Sequence, residues 1–130
     1  MALQIPPNCD LTLGLVCVEK STPGTTTWQL RVDERFANPA GVMQGGLLSA
    51  ALDSAMGASA VSAQQGRKVF VANTEMKVSF IRPATVGTLL RVVATVLKAG
   101  RVICFVEAKV HDEAGVLLAT ASSTYLVKER

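Results

Sequence analysis

Histidine is nearly absent from this chain of 130 residues, which carries only His111, and its three cysteines, Cys9, Cys17 and Cys104, show no paired spacing. One histidine leaves no credible Ser-His-Asp triad. His111 precedes the turn-forming Asp112-Glu113-Ala114-Gly115 and shares a strand face with Glu107 and Lys109, so it reads as a solvated surface residue. The odd cysteine count, with no secretory leader pattern, fits free thiols in a cytoplasmic protein. Cys104 sits mid-strand on an apolar face and is expected to be a small core residue rather than a nucleophile. No cluster has metal-ligand spacing and no glycine-rich loop has the phosphate-binding or dinucleotide form, so neither a metal nor a cofactor is expected. The net charge of +3 is scattered without a polybasic run, which argues against nucleic acid or a membrane surface as a partner. The longest apolar window, Gly45 to Ala63, is rich in Ala, Ser and Gly with an Asp at its middle, and is a poor membrane span.

That same window is the most informative stretch present. It predicts one long helix opened by Gly45 and Gly46, with Asp53 as its only charge and Gln64-Gln65-Gly66 as its stop. A helix apolar all round is buried all round. Leu48, Ala51, Leu52, Ala55 and Ser59 share one stripe, and Asp53 projects roughly 140° from Leu48, toward Ser49 and Gly57. On this reading Asp53 faces something other than the chain's own core. A buried carboxylate must be paired or hydrogen-bonded, and a helix N-terminus nearby offers free N–H donors to an anion or a polarised carbonyl. Acid or base together with oxyanion donors is a catalytic pairing.

Strands are expected on both sides of the helix. Leu11 to Lys20 and Thr26 to Phe36 flank a Ser21-Thr22-Pro23-Gly24 turn, and could form a hairpin. Beyond the helix, Val69 to Arg82, Thr88 to Lys98, Arg101 to His111 and Val116 to Lys128 each end at a turn signal or the chain end. Cys104, Val106, Ala108 and Val110 alternate with Phe105, Glu107, Lys109 and His111, the period of a strand with one covered face. Such long strands curl. The simplest architecture is a single α+β domain over residues 1–130, a curved antiparallel sheet wrapped around one long helix. The remaining apolar side of the helix then calls for a second copy, a homodimer; assembly of dimers to a homotetramer is a further expectation that the burial pattern does not decide.

One set of residues also resembles a known family. Asn38, Gly41, Gln44-Gly45-Gly46 and Asp53, followed by Phe80-Ile81-Arg82-Pro83-Ala84 with Gly87 and by Gly100-Arg101, are similar in order and spacing to the hotdog-fold acyl-coenzyme A thioesterases, in the phenylacetate-pathway (PaaI-like) branch. Gln44 stands where the commoner signature has histidine; it can donate a hydrogen bond but carries no exchangeable catalytic proton. The resemblance implies hydrolysis of an acyl-coenzyme A thioester to free acid and coenzyme A. It implies that the Gly45 N–H points at the carbonyl oxygen, that Gln44 and Asn38 add donors or place water, and that Asp53 is general base or nucleophile. It also implies a polar residue from the partner's strand, Asn73 with Thr74 adjacent. Gly46 would lie along the substrate, and Arg82, Arg101 and Lys98, with Arg67 behind them, would meet the phosphates of coenzyme A.

Two other functions compete with hydrolysis. A non-catalytic acyl-coenzyme A binding module would keep the fold and the cleft, but gives no reason to hold a carboxylate beside a thioester carbonyl. A hotdog hydratase would pair a histidine with an acid, and His111 is badly placed for that.

Overall fold

The structure is a computed structural model and describes residues 3–130. Its elements run α1 (Asn8–Leu13), β1 (Val16–Glu19), β2 (Thr25–Arg31), a 3-10 turn at Glu34–Phe36, α2 (Gly45–Ser62), β3 (Val69–Phe80), β4 (Leu89–Ala99), β5 (Ile103–His111) and β6 (Leu117–Glu129). The six strands form one antiparallel sheet in the order β1-β2-β4-β5-β6-β3, which curls around α2. No helix among the described residues is long and apolar enough to cross a membrane.

Two expected strands are shorter than their sequence suggested. Leu11 to Leu13 is helical, because Pro7 opens a short turn and Gly14, at φ 74°, closes it with its N–H on the Asp10 and Leu11 carbonyls. Strand β2 stops at Arg31, since Asp33 accepts the Arg35 N–H at 2.8 Å and winds the turn that tucks Phe36 into the core. The β1–β2 hairpin and the four long strands after the helix form as expected, within a few residues at their ends. Strand β5 alternates as read, with Cys104, Val106, Ala108 and Val110 buried.

Helix α2 buries Leu48, Ala51, Leu52, Ala55, Met56, Ser59 and Ala60, each large side chain removed from water contributing about 1.5–3 kcal/mol. A buried polar chain fixes its register on the sheet. The Trp28 Nε1–H donates to Thr26 Oγ1 at 2.8 Å, Thr26 Oγ1 lies 2.7 Å from Ser59 Oγ, and Ser59 donates to the Ala94 carbonyl at 2.9 Å. Because strand β3 pairs with β6 rather than with its sequence neighbour β4, it returns along the far flank of the helix. That flank carries Asp53.

Candidate active site

The expectation that Asp53 faces something other than the chain's own core is corrected: its partners, Asn73 and Tyr125, belong to the same chain. Gly57, one turn on, faces Tyr125 and Val71: a Cβ there would lie 3.5 Å from Tyr125 Cε1 and 3.7 Å from Val71 Cγ2. The Asp53 side of α2 is therefore covered by the chain's own β3 and β6, while Gly46, Ala50 and Val61 stay exposed.

Asp53 Oδ1 accepts two hydrogen bonds, from Tyr125 Oη at 2.7 Å and from Asn73 Nδ2 at 3.0 Å. Oδ2 accepts none among the described residues. Asn73 meets Asp53 from the same chain rather than from a partner's strand. Asn73 points inward in alternation with Val69 and Val71, and a β-bulge between Asn73 and Glu75 leaves Thr74 as the extra residue and brings Met76 and Val78 to the same face. Thr74 is exposed and donates to the Thr124 carbonyl at 2.9 Å, so it does not join Asp53. Ser123 Oγ lies 2.8 Å from Asn73 Oδ1 and 2.7 Å from the Glu75 carbonyl, and its single proton serves one of the two. Burial first, and then the Asp53 carboxylate, push the Tyr125 phenol well above its ordinary range, so it stays a proton donor.

The start of α2 forms a second constellation. Gln44 is its N-cap with φ −62° and ψ 135° but makes no side-chain cap bond. The N–H groups of Gly45 and Gly46 therefore have no partner among the described residues. They are the free donors that a helix N-terminus presents to an anion or a developing oxyanion. A cleft of about 330 Å³ adjoins them, lined by Asn38, Gly45, Leu48, Phe80 and Arg82 with Val42, Met43, Ile81, Pro83 and Ala84. Asn38 spends its Oδ1 on the Ala40 and Val42 N–H groups at 2.9 and 3.3 Å, shaping the loop and leaving Nδ2 as its donor. Gln44 is exposed and folds over Gly46, where a Cβ would lie 3.1 Å from its Oε1. The Phe80 ring covers Gly45: a Cβ there would lie 2.9 Å from Phe80 Cζ, so a larger residue would have to displace the ring.

The basic residues divide between the two ends of the helix. Arg82 lines the cleft, its Nη1 3.4 Å from the Leu117 carbonyl, with no carboxylate paired to it among the described residues. Arg101 and Lys98 instead belong to the β4–β5 hairpin, which Gln64 Nε2 ties to the helix C-terminus through the Gly100 carbonyl at 3.0 Å. Arg101 and Arg67 both pair with Glu129, at 3.3 and 3.0 Å. A helix of this length spans roughly 27 Å, so one chain does not bring Arg101 and Lys98 to the cleft that holds Arg82. Cys104 is fully buried and burial raises its thiol pKa, as a core residue requires. His111 is partly exposed at the end of β5 and does not line the cleft.

Tyr125 and Ser123 were not apparent from sequence. The available signal was a lone tyrosine on a strand whose neighbouring inward residues are small, since a buried phenol must find a partner.

The family model of the thioesterase superfamily matches residues 40–119, which include the glycines at the helix start, Asp53, Asn73 and Arg82. This chain belongs to the thioesterase superfamily. As a superfamily member it is a thioester hydrolase, the class that the motif resemblance indicated. The chain is similar to acyl-coenzyme A thioesterase 13 of Homo sapiens, with 25% identity over 118 residues, covering 90% of this chain and 83% of that one. It is also similar to a phenylacetic acid degradation-related protein from Ralstonia eutropha JMP134, at 31% identity and a TM-score of 0.81, covering 92% of this chain and 89% of the other. The PaaI protein of E. coli, at 18% identity, superposes with a TM-score of 0.86 over 92% of this chain and 83% of its own. The fold is accordingly the α+β hotdog, of the PaaI type.

Proposed function

We propose that this superfamily member hydrolyses an acyl-coenzyme A ester, with the Gly45 N–H polarising the thioester carbonyl and Asp53 acting as general base or nucleophile. The observation that carries this reading is Asp53 itself, with Oδ1 held by two donors and Oδ2 open. Hydrolysis forms a bond from water oxygen to the carbonyl carbon and breaks the carbon–sulfur bond. The coenzyme A thiolate leaves and takes up a proton. Charge gathers on the carbonyl oxygen in the transition state, and a fixed N–H aimed there stabilises it more than it stabilises the ground state.

The two halves of this machinery need two chains. Gly45 and Asp53 are eight residues apart on one helix, about 12 Å along its axis at 1.5 Å per residue. A reacting carbonyl needs both groups within about 3–3.5 Å of its own atoms. The site is thus composite: the helix start, Asn38 and Arg82 of one copy face the Asp53, Asn73 and Tyr125 group of another. The 12-residue edge strand β3 supports the pairing, since a long edge with unpaired backbone groups is a template for another strand. A twofold about that edge runs two β3 strands antiparallel, and carries the cleft end of one copy alongside the Asp53 flank of the other. Arg101, Lys98 and Arg67, at the far end of each helix, would approach the partner's cleft, where coenzyme A phosphates would meet them.

The test is thiol release from short, medium, branched and aromatic acyl-coenzyme A esters, with Asp53→Asn as control. Turnover that falls at least about 100-fold in the folded variant supports the reading. Saturable binding without thiol release in the unaltered protein would replace hydrolysis with a binding role.

A further inference from the structure

Beyond the oxyanion donor and the carboxylate, the chain carries a device that determines how the carboxylate is presented. Tyr125 Oη lies 2.7 Å from Asp53 Oδ1 and 2.9 Å from the Asp53 backbone carbonyl. A phenol has one proton to donate. The shorter contact to the ionised oxygen takes it, because charge-assisted bonds are the stronger ones. The Tyr125 ring packs under the helix at Gly57, one turn beyond Asp53, where a Cβ would make ordinary contact with it at 3.5 Å. From the other side, Asn73 Nδ2 donates to the same Oδ1 at 3.0 Å. Two donors from two strands converge on one oxygen, so the carboxylate cannot rotate about its bond to Cβ without breaking both. Oδ2 is thereby the oxygen left without a donor among the described residues.

We propose that Tyr125 is a positioning residue for the reaction, locking Oδ1 so that Oδ2 of Asp53 alone serves as the reacting oxygen. The inference rests on the assignment of Asp53 above. A tyrosine that only tied β6 to α2 would contribute stability and leave turnover to Asp53. A positioning tyrosine acts through Asp53 and is silent without it.

The experiment is a cycle of Tyr125→Phe, Asp53→Asn and the double variant, assayed with hexanoyl- and phenylacetyl-coenzyme A. A lost hydrogen bond to a charged group predicts a kcat about 10- to 100-fold lower in Tyr125→Phe, with KM nearly unchanged. In the Asp53→Asn background the same change should cause no further loss, as residues acting as a unit behave. Wild-type kcat in Tyr125→Phe, or losses that multiply in the double variant, would overturn the proposal. Full activity in Asp53→Asn alone would instead remove the assignment of Asp53, a distinct outcome. Tyr125 is the only tyrosine in the chain, so growth on 3-fluorotyrosine labels this position alone and covers the case in which Tyr125→Phe does not fold. The fluorine resonance should move between the folded wild type and the folded Asp53→Asn protein; an identical resonance in both would also overturn the proposal.

Discussion

Replacing Gly45 by proline would remove one N–H proton and disturb little of the backbone. Gly45 is the first residue of α2, where the fixed φ of proline fits and its missing N–H breaks no helical bond. Gln44 before it already has φ −62° and ψ 135°, the extended conformation that a residue preceding proline adopts. The steric consequence can be separated from the electronic one. A Cβ at position 45 comes 2.9 Å from Phe80 Cζ and 3.2 and 3.3 Å from its Cε atoms, and Phe80 is 55% exposed, with room to swing outward. Gly45→Ala introduces the same Cβ and keeps the N–H, so the ratio of the two variants isolates the donor. Displacing the Phe80 ring reshapes the cleft, and its effect should fall chiefly on KM. Loss of one oxyanion donor lowers kcat by about 100- to 1000-fold, or about 2.7–4 kcal/mol of transition-state stabilisation. The assay is thiol release at saturating acyl-coenzyme A, with thermal unfolding of both variants as the control for folding. A folded Gly45→Pro protein whose kcat equals that of Gly45→Ala refutes the role of this N–H.

Three further outcomes are expected. Arg82→Gln should raise KM for acyl-coenzyme A with kcat nearly intact, and should leave an acyl-pantetheine lacking the nucleotide unaffected; equal losses on both esters would contradict phosphate recognition. Ser59→Ala breaks the Thr26–Ser59–Ala94 chain and should cost about 1–2 kcal/mol of stability without changing kcat; an unchanged melting temperature would count against that network. The raised Tyr125 pKa stabilises the fold fully below the unfolded value near 10 and is lost as pH rises above it. Tyrosinate absorbance, which only Tyr125 can give, should therefore appear together with alkaline unfolding; a titration near pH 10 in folded protein would contradict this.

The span of α2 and the alternation of β5 were legible because each depends on local periodicity. Asp53 stood out for a similar reason, as one charge in an apolar helix. What surrounds Asp53 was not legible. A helical wheel gives a direction about the axis but not the element that fills it, and β3 reaches that flank only because it pairs with β6. Tyr125 follows from the same long-range register, in which Asn73 and Tyr125 lie opposite each other across β3 and β6. The Arg82 and Arg101 assignments met the same limit, since spacing along the chain does not say that the two lie at opposite ends of the helix. At the N-terminus, Pro7 and Gly14 were helix boundary signals flanking residues whose apolar content read as strand.

In the proposed site, Gly45 of one copy and Asp53 of another share one thioester. Mixing Gly45→Pro and Asp53→Asn proteins under conditions of subunit exchange tests it directly. The mixed dimer then holds one site in which both residues are native. Thiol release should rise from the level of the inactive parents toward about a quarter of wild type, since half the dimers are mixed and each has one of two sites intact. If the two residues act from a single chain, no native site forms in any dimer, and activity that stays at the parental level despite verified exchange would contradict the account.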